Sequence, residues 1–485
     1  MAEYQTNLFI NNEYVPSSTG ETFEVYNPTD DSLVTSAVQV ASDKDVDSAV
    51  AAAKSAFKTW RKTTSSQRAE MMIRFADLLE KHIDEIVKLD TICMGAPVHL
   101  AKWLVARHAS DFRYYAGMID KIAGETYPEN GDGYFKMVNY EPMGVVAGIA
   151  AWNATQLFVG WKIAPAVAAG NTVVFKSSEK SPLSVLYQGA LFKEAGFPPG
   201  VINLLSGAAN TGSRMASHMD IARISFTGSL NTGRQIQIAA AKSNLKLVTL
   251  ELGGKSASVV FNDAHIDNAV KHNCQGFLAN SAQACAAGSR ILVQEDIATE
   301  FIEKLKTAYI QITSSVGDPA LASTFMGPVV DKAQFSRVME YIDGAKKEGT
   351  EVLVGGGRQG AKGQFIQPTI LLNPDRHSRV YTEEIFGPVV MVKTFKTEEE
   401  AIEMANDTVF GLSATLYTRD VTRAMRVSSQ LEAGTVTVNS GPVALQQTPW
   451  GGWRQSGYGR EGGIHGMMEY LQTKTVNINM NAPDN

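Results

Sequence analysis

At 485 residues and 52.5 kDa the chain is too long for one ordinary domain, with about three expected from length alone. Apolar residues make up 44% and charged residues 19%, with 41 Gly and 17 Pro, which excludes a disordered, collagen-like or disulfide-scaffold protein. The 44 Lys and Arg against 50 Asp and Glu give a formal net charge of -6, with no dense basic run to favour nucleic acid or an anionic membrane as partner. Area scaling expects about 17,600 Å² exposed for a folded monomer of this mass, leaving ample surface for a sizeable core. Met1 to Gln5 lacks the layout of a signal peptide, Ala482 to Asn485 form no peroxisomal address, and no apolar stretch is long enough to span a bilayer. Three cysteines without a CxxC pair fit a reducing compartment. The expectation is a soluble cytoplasmic protein without a metal site.

Residues 42–60 place Val46, Ala49, Val50, Ala53, Phe57 and Trp60 on one helical face, with Ser42 and Asp45 at capping-box spacing. A second helix is expected over 66–93. Residues 133–142 alternate like a strand, and from about 143 a regular rhythm begins. Strand 144–149 leads to helix 157–169, strand 172–175 to helix 182–195, and strand 201–205 to a short helix. Strand 222–226, helix 230–242 and strand 245–250 follow. Such alternation implies right-handed βαβ units and a parallel sheet. Strands near 290–294, 389–395, 413–418 and 434–439 repeat the theme, so the fold class is α/β with two parallel-sheet domains. The spare strands at 133–142 and 473–478 are either surface ribbons or edges that pair with each other or with another subunit.

The cysteines differ in their surroundings. Cys274, among Val270, Phe277 and Leu278, and Cys93, at a helix end, read as buried packing. Cys285 lies in Asn280-Ser-Ala-Gln-Ala-Cys-Ala-Ala-Gly-Ser-Arg290, where small neighbours leave room for a substrate carbon but equally suit a packed thiol. A nucleophilic Cys needs an activator or base. Glu251 follows a strand and precedes two glycines, where α/β enzymes place catalytic groups, although a solvated strand-end Glu reads the same way. Asn153, beside Trp152 past strand 144–149, is either a turn residue or a donor to a developing oxyanion worth about 2.7–4 kcal/mol. Phe226-Thr-Gly-Ser229, with Gly228 and Gly233, is a glycine turn whose N–H groups could meet a pyrophosphate at a helix N-terminus. Lys176 and Glu179 follow strand 172–175, where a carboxylate would grip a ribose. Glu384-Ile-Phe386-Gly-Pro388 offers another carboxylate at a turn.

Taken in this order the segments resemble the aldehyde dehydrogenase superfamily across essentially the whole chain. The resemblance rests on Trp152-Asn153, Lys176 with Glu179, Phe226-Thr-Gly-Ser229, Glu251-Leu-Gly-Gly-Lys255, Gln283 with Cys285, Glu384-Ile-Phe386-Gly-Pro388, and Pro449-Trp-Gly-Gly452 followed by Ser456-Gly-Tyr-Gly-Arg-Glu461. It implies an NAD-binding domain over 1–123 and 143–250, a catalytic domain over 251–453, and an oligomerisation arm from 124–142 and 468–480 that builds a homodimer or homotetramer. It also implies Cys285 as nucleophile, Glu251 as the base for deacylation, and Asn153 with the Cys285 N–H as oxyanion hole. Lys176 and Glu179 would hold the adenine-side ribose, Ser229 the pyrophosphate, and Glu384 and Phe386 the nicotinamide side. Trp152, Phe226, Gly228, Gly233 and Leu252 complete the cofactor set. Thiolate attack, hydride transfer to NAD and hydrolysis of a thioester would convert an aldehyde to its acid, the presence of Glu251 favouring water over coenzyme A. Ala151, Ala154, Thr155, Ser177 and Ala282 depart from the family's usual residues without removing a reacting group.

The carried-over pocket positions Phe158, Trp161, Ala284, Ala286 and Trp450 describe an apolar, partly aromatic channel. No Arg or Lys lies between 153 and 161 or between 440 and 450, Lys162 falling just beyond. A bulky apolar or aromatic aldehyde is therefore expected, rather than a carboxylated semialdehyde needing a cationic anchor. Glu179 beside the ribose repels a 2′-phosphate and favours NAD, while Lys176 leaves NADP open. The rival readings are an NADP-preferring or semialdehyde-specific member of the same family, a cofactor-free cysteine hydrolase, and a non-enzymatic binding protein on this fold.

Overall fold

Strands buried on both faces read as continuous apolar runs, and four such strands form the middle of the first sheet. They are Val145–Ile149, Thr172–Lys176, Ile202–Leu205 and Arg223–Thr227, every residue buried. In the computed structural model, which describes residues 4–481, the order across this sheet is Gly457–Tyr458, Leu247–Glu251, Arg223–Thr227, Val145–Ile149, Thr172–Lys176, Ile202–Leu205, Leu8–Ile10 and Glu13–Val15. The five central strands are parallel, and the short outer ones are antiparallel. Met1–Glu3 and Ala482–Asn485, on which the readings of both termini partly rest, lie outside the described residues.

The second sheet has seven strands, in the order Glu351–Val354, Thr369–Leu372, Val389–Phe395, Arg290–Gln294, Ala257–Val260, Ser413–Tyr417 and Thr435–Val438. All neighbours are parallel except the first pair. The two spare strands pair with each other. Leu471–Asn479 runs antiparallel to Tyr134–Pro142 over nine residue pairs, and Glu125–Tyr127 adds a third strand. Among the described residues no helix is long and apolar enough to cross a membrane.

The helix Asp43–Trp60 carries both halves of the expected capping box, with Asp45 serving in place of Glu. The single helix expected over 66–93 is two, Ser65–Lys81 and Ile83–Met94, parted at His82 with φ -102° and ψ 16°. The break turns the second helix so that Ile86, Val87, Leu89 and Cys93 face inward. Cys274 does not lie in regular α-helix but in a π-turn, His272–Gly276, and is buried there. The long helix Val98–Ala116 went unread because buried His108 and Asp111 interrupt its apolar stripe.

Helices and first sheet meet in an aromatic cluster. Phe75 stacks on Phe192 at 3.8 Å and 9°, with Phe112 at 4.6 Å and Phe197 edge-on at 6.5 Å. All four are essentially inaccessible. Phe75→Ala leaves a cavity here and is expected to cost about 3–5 kcal/mol of stability, read as a lower urea midpoint with unchanged slope.

Candidate active site

The chain order changes direction in the first sheet between Val145–Ile149 and Arg223–Thr227, a switch point whose carboxyl ends are the usual ligand position in an open α/β sheet. Trp152 and Asn153 follow the first of these strands, Gly228 and Ser229 the second, and Glu251 ends the next. The second sheet contributes from the opposite polarity. Lys255 and Ser256 precede its strand at Ala257, Cys285 precedes the strand at Arg290, and Glu384 to Phe386 precede the strand at Val389. Strand C-termini of one sheet thus face strand N-termini of the other.

Cys285 is presented by a strained approach. Asn280, Ser281 and Ala282 have φ of 54°, 55° and 56°, three consecutive left-handed residues of which none is glycine. Each costs roughly 1–2 kcal/mol, and such strain persists only where surrounding contacts enforce it. Here Ser281 Oγ donates to Gly327 O at 2.7 Å, and Gln283 Oε1 accepts from Val330 N–H at 2.9 Å. Asn153 is buried, its Nδ2 donating to Gln283 O at 2.9 Å while its own carbonyl accepts from Asn280 Nδ2 at 2.8 Å. The oxyanion candidate and the thiol loop are therefore locked to each other.

The electrostatics are those of a dry, acidic cleft. Burial, aided by the Glu384 and Glu251 carboxylates, pushes the Cys285 thiol up to about 12. Burial together with the negative charge of Glu461 raises Glu251 well above the usual carboxylate range, and neither Glu251 oxygen has a protein partner. Burial also raises Glu384 to about 7, against the Gly254 N–H that donates to it at 3.0 Å. Behind Glu251 the fully buried Lys162 donates to Glu461 at 2.5 Å and to Ser225 Oγ at 2.9 Å, so its charge is spent inside the core.

Two adjoining hollows hold most of the sequence-derived residues. One, about 210 Å³, is lined by Trp152, Asn153, Gly228, Ser229, Glu251, Leu252, Cys285, Glu384 and Phe386. The other, about 730 Å³, shares Trp152, Gly228 and Ser229 and adds Lys176, Glu179 and Phe226. Gly233 lines neither: it is buried where a Cβ would strike the Leu252 side chain, so it serves helix packing rather than ligand contact. Trp152 meets Phe386 edge-on at 5.4 Å, and Phe386 itself has φ 60°. The Ser229 hydroxyl caps the helix Leu230–Lys242.

These hollows fit a dinucleotide. The larger ends at the helix N-terminus that Ser229 caps, a position suited to phosphate, and the Glu179 carboxylate is half exposed at its rim, 3.9 Å from Lys176 Nζ. Gly228 has no room for a Cβ against the Phe226 ring, and Gly253 none against the Glu384 carboxylate, so the backbone lines the passage between the hollows. Sequence reading missed Gln334 and Arg337. From the helix Lys332–Lys347 they donate to Ile385 O, Phe386 O and Glu384 O, and so clamp that segment. It also missed Lys180, which pairs with Asp331 at 2.6 Å and lies over the Trp152 ring. No motif marks any of these three.

On the other side of Cys285 the wall is aromatic. Trp161 lies 6.1 Å from Trp450 and 6.5 Å from Phe158, all three buried in one cluster with Ala286, while Ala284 is exposed. In the protein without added cofactor, iodoacetamide labelling of Cys285 should be slow at neutral pH and rise about tenfold per pH unit without levelling below pH 10, since burial keeps the thiol protonated. A plateau near pH 8 would contradict this.

The sequence pattern of the aldehyde dehydrogenase family matches residues 14–476. An aldehyde dehydrogenase of Emericella nidulans is 47% identical over 480 residues, covering 99% of this chain and 96% of that protein. Human retinal dehydrogenase 2 is 45% identical, covering 98% and 92%. Among solved structures, betaine aldehyde dehydrogenase from Staphylococcus aureus in complex with NAD+ superposes with a TM-score of 0.96 at 36% identity, covering 99% and 96%. The chain belongs to the aldehyde dehydrogenase family and is an oxidoreductase acting on the aldehyde group.

Proposed function

We propose that the protein oxidises a bulky apolar or aromatic aldehyde to its carboxylic acid through a thiohemiacetal and then a thioester on Cys285, with NAD as cofactor. One observation carries this reading: Cys285, Asn153, Glu251 and Glu384 line a single hollow that opens into the dinucleotide-sized cleft. Once deprotonated, Cys285 Sγ forms a bond to the aldehyde carbon. The oxyanion that results accepts from Asn153 Nδ2 and the Cys285 N–H, donors fixed before the reaction begins. NAD, when bound, supplies the hydride acceptor. Glu251 then takes a proton from water, whose oxygen attacks the thioester, releasing the acid and restoring the thiolate.

Glu179 and Lys176 would hold the adenine-side ribose, Ser229 the pyrophosphate, and Glu384 and Phe386 the nicotinamide side. Residues 1–123 and 143–250 form the cofactor domain and 251–453 the catalytic domain. The substrate class follows from Phe158, Trp161 and Trp450, and from the loss of Lys162 to Glu461. The three-stranded sheet would serve as an oligomerisation arm of a homodimer or homotetramer. It exposes Tyr127, Tyr134, Phe135 and Ile478, and the chain's 19,609 Å² of surface exceeds by about 2,000 Å² what a monomer of this mass shows.

Cys285→Ala should abolish NADH formation, by at least about a thousandfold. Glu251→Gln should keep a single burst of NADH and lose steady turnover by about a hundredfold, because only deacylation needs the base. In the wild type, steady turnover should rise with pH above the ordinary carboxylate range, because a carboxyl held above that range must lose its proton before it can act. Benzaldehyde should exceed succinic semialdehyde in kcat/KM by at least about tenfold. The reverse order would refute the substrate reading, and Glu179→Ala should narrow the preference for NAD over NADP.

A further inference from the structure

The segment between the strand Thr435–Val438 and Trp450 has neither helix nor strand of its own, yet Ala444 packs into the aromatic cluster that holds Phe158, Trp161, Trp450 and Cys285. What fixes it is the helix Val98–Ala116. Arg107, its side chain 12% exposed, donates through Nη1 to Ala444 O at 2.6 Å and through Nε to Asp111 Oδ1 at 2.9 Å. Gln446 Nε2 reaches the same helix, donating to Ser110 Oγ at 2.7 Å and to Asp111 Oδ1 at 3.2 Å. A backbone tie completes the attachment: Gly463 N–H donates to Gln446 O at 2.8 Å, and Gly463 O accepts from Tyr115 of the helix at 3.2 Å.

Arg107 brings a cation to this wall from a part of the chain far from residues 153–161 and 440–450. Asp111, 2% exposed, matches the charge of Arg107, whose Nη1 is taken by the loop carbonyl, while its Nη2 is buried without a protein partner. A side chain that spends its charge on one neighbour and a donor on a loop carbonyl is suited to holding that loop in place. Helix Val98–Ala116 is itself packed along Thr155–Ala168, the helix that carries Phe158 and Trp161. Arg107 therefore ties the segment that carries Ala444 to the helix packed against Phe158 and Trp161.

We infer that Arg107 is a positioning residue that determines specificity: through Ala444 O it latches the 439–448 loop against the aromatic wall and fixes how large an aldehyde the channel holds. The inference rests on the reading that this aromatic wall receives the aldehyde. A small aldehyde reaches Cys285 without leaning on the loop; a long aromatic one needs it.

The test compares propanal with cinnamaldehyde, using the full-length enzyme and NAD. Arg107→Met combined with Asp111→Asn removes the latch without leaving a lone buried carboxylate. With it, kcat for propanal should stay within about twofold of wild type while KM for cinnamaldehyde rises about five- to tenfold. Arg107→Lys, which keeps one donor for Ala444 O, should recover part of that KM. Gln446→Ala removes the second tie and should shift the same ratio in the same direction; it decides the matter if the double variant does not fold. Equal changes for both aldehydes, or none, would overturn the latch. A wild type that favours succinic semialdehyde would instead refute the substrate reading, while the cinnamaldehyde-to-propanal KM ratio of the variants still reports on Arg107.

Discussion

The chain leaves the first sheet at Glu251 and enters the second at Ala257, and this short crossing sets the spacing of everything in the cleft. It is tied on both sides through Ser456. Leu252 N–H donates to Ser456 O at 2.9 Å, and Ser456 Oγ donates to Gly253 O at 2.7 Å while accepting from Gly411 N–H at 3.0 Å. The two glycines are required by space rather than by backbone freedom. A Cβ on Gly253 would overlap the Glu384 carboxylate, and one on Gly254 would overlap the Cys285 carbonyl. Base candidate, thiol loop and nicotinamide-side carboxylate are thus brought together by one stretch of backbone with no side chains in the way.

The same closeness explains the charge state of the site. Burial raises Cys285, Glu251 and Glu384 alike, and the two carboxylates make ionisation of the thiol harder still. The cation nearest in role, Lys162, is turned away from the reacting atoms toward Glu461 and Ser225. A cleft arranged like this disfavours the thiolate of Cys285.

Much of this was legible because catalytic residues in parallel-sheet folds sit at strand ends, and strand ends show in the rhythm of the sequence. Glu251, Asn153 and Ser229 all lie within a few residues of a strand that alternation located. Cys285 was legible only through family resemblance, because its setting is left-handed backbone at Asn280, Ser281 and Ala282, for which no propensity argument exists. Gly233 misled because a glycine after a strand reads as a phosphate turn, whereas here the missing side chain makes room for Leu252. Gln334, Arg337 and Arg107 act through backbone carbonyls far away in sequence, and such partners leave no periodic trace.

The pairing of Tyr134–Pro142 with Leu471–Asn479 has a consequence for how the molecule is made. Its partners are separated by most of the chain, and the outermost strand of the first sheet, Gly457–Tyr458, also arrives near the end. During synthesis, residues 134–142 therefore pair only with Glu125–Tyr127, and one side of Leu247–Glu251 stays open, until residues 457–479 have emerged. Loop closure over such a span is slow, and unpaired strand edges invite wrong partners in the meantime. Loss of both Gly457–Tyr458 and Leu471–Asn479 would thus strand two edges at once, so this segment closes a fold whose candidate catalytic residues Asn153, Glu251 and Cys285 all precede it.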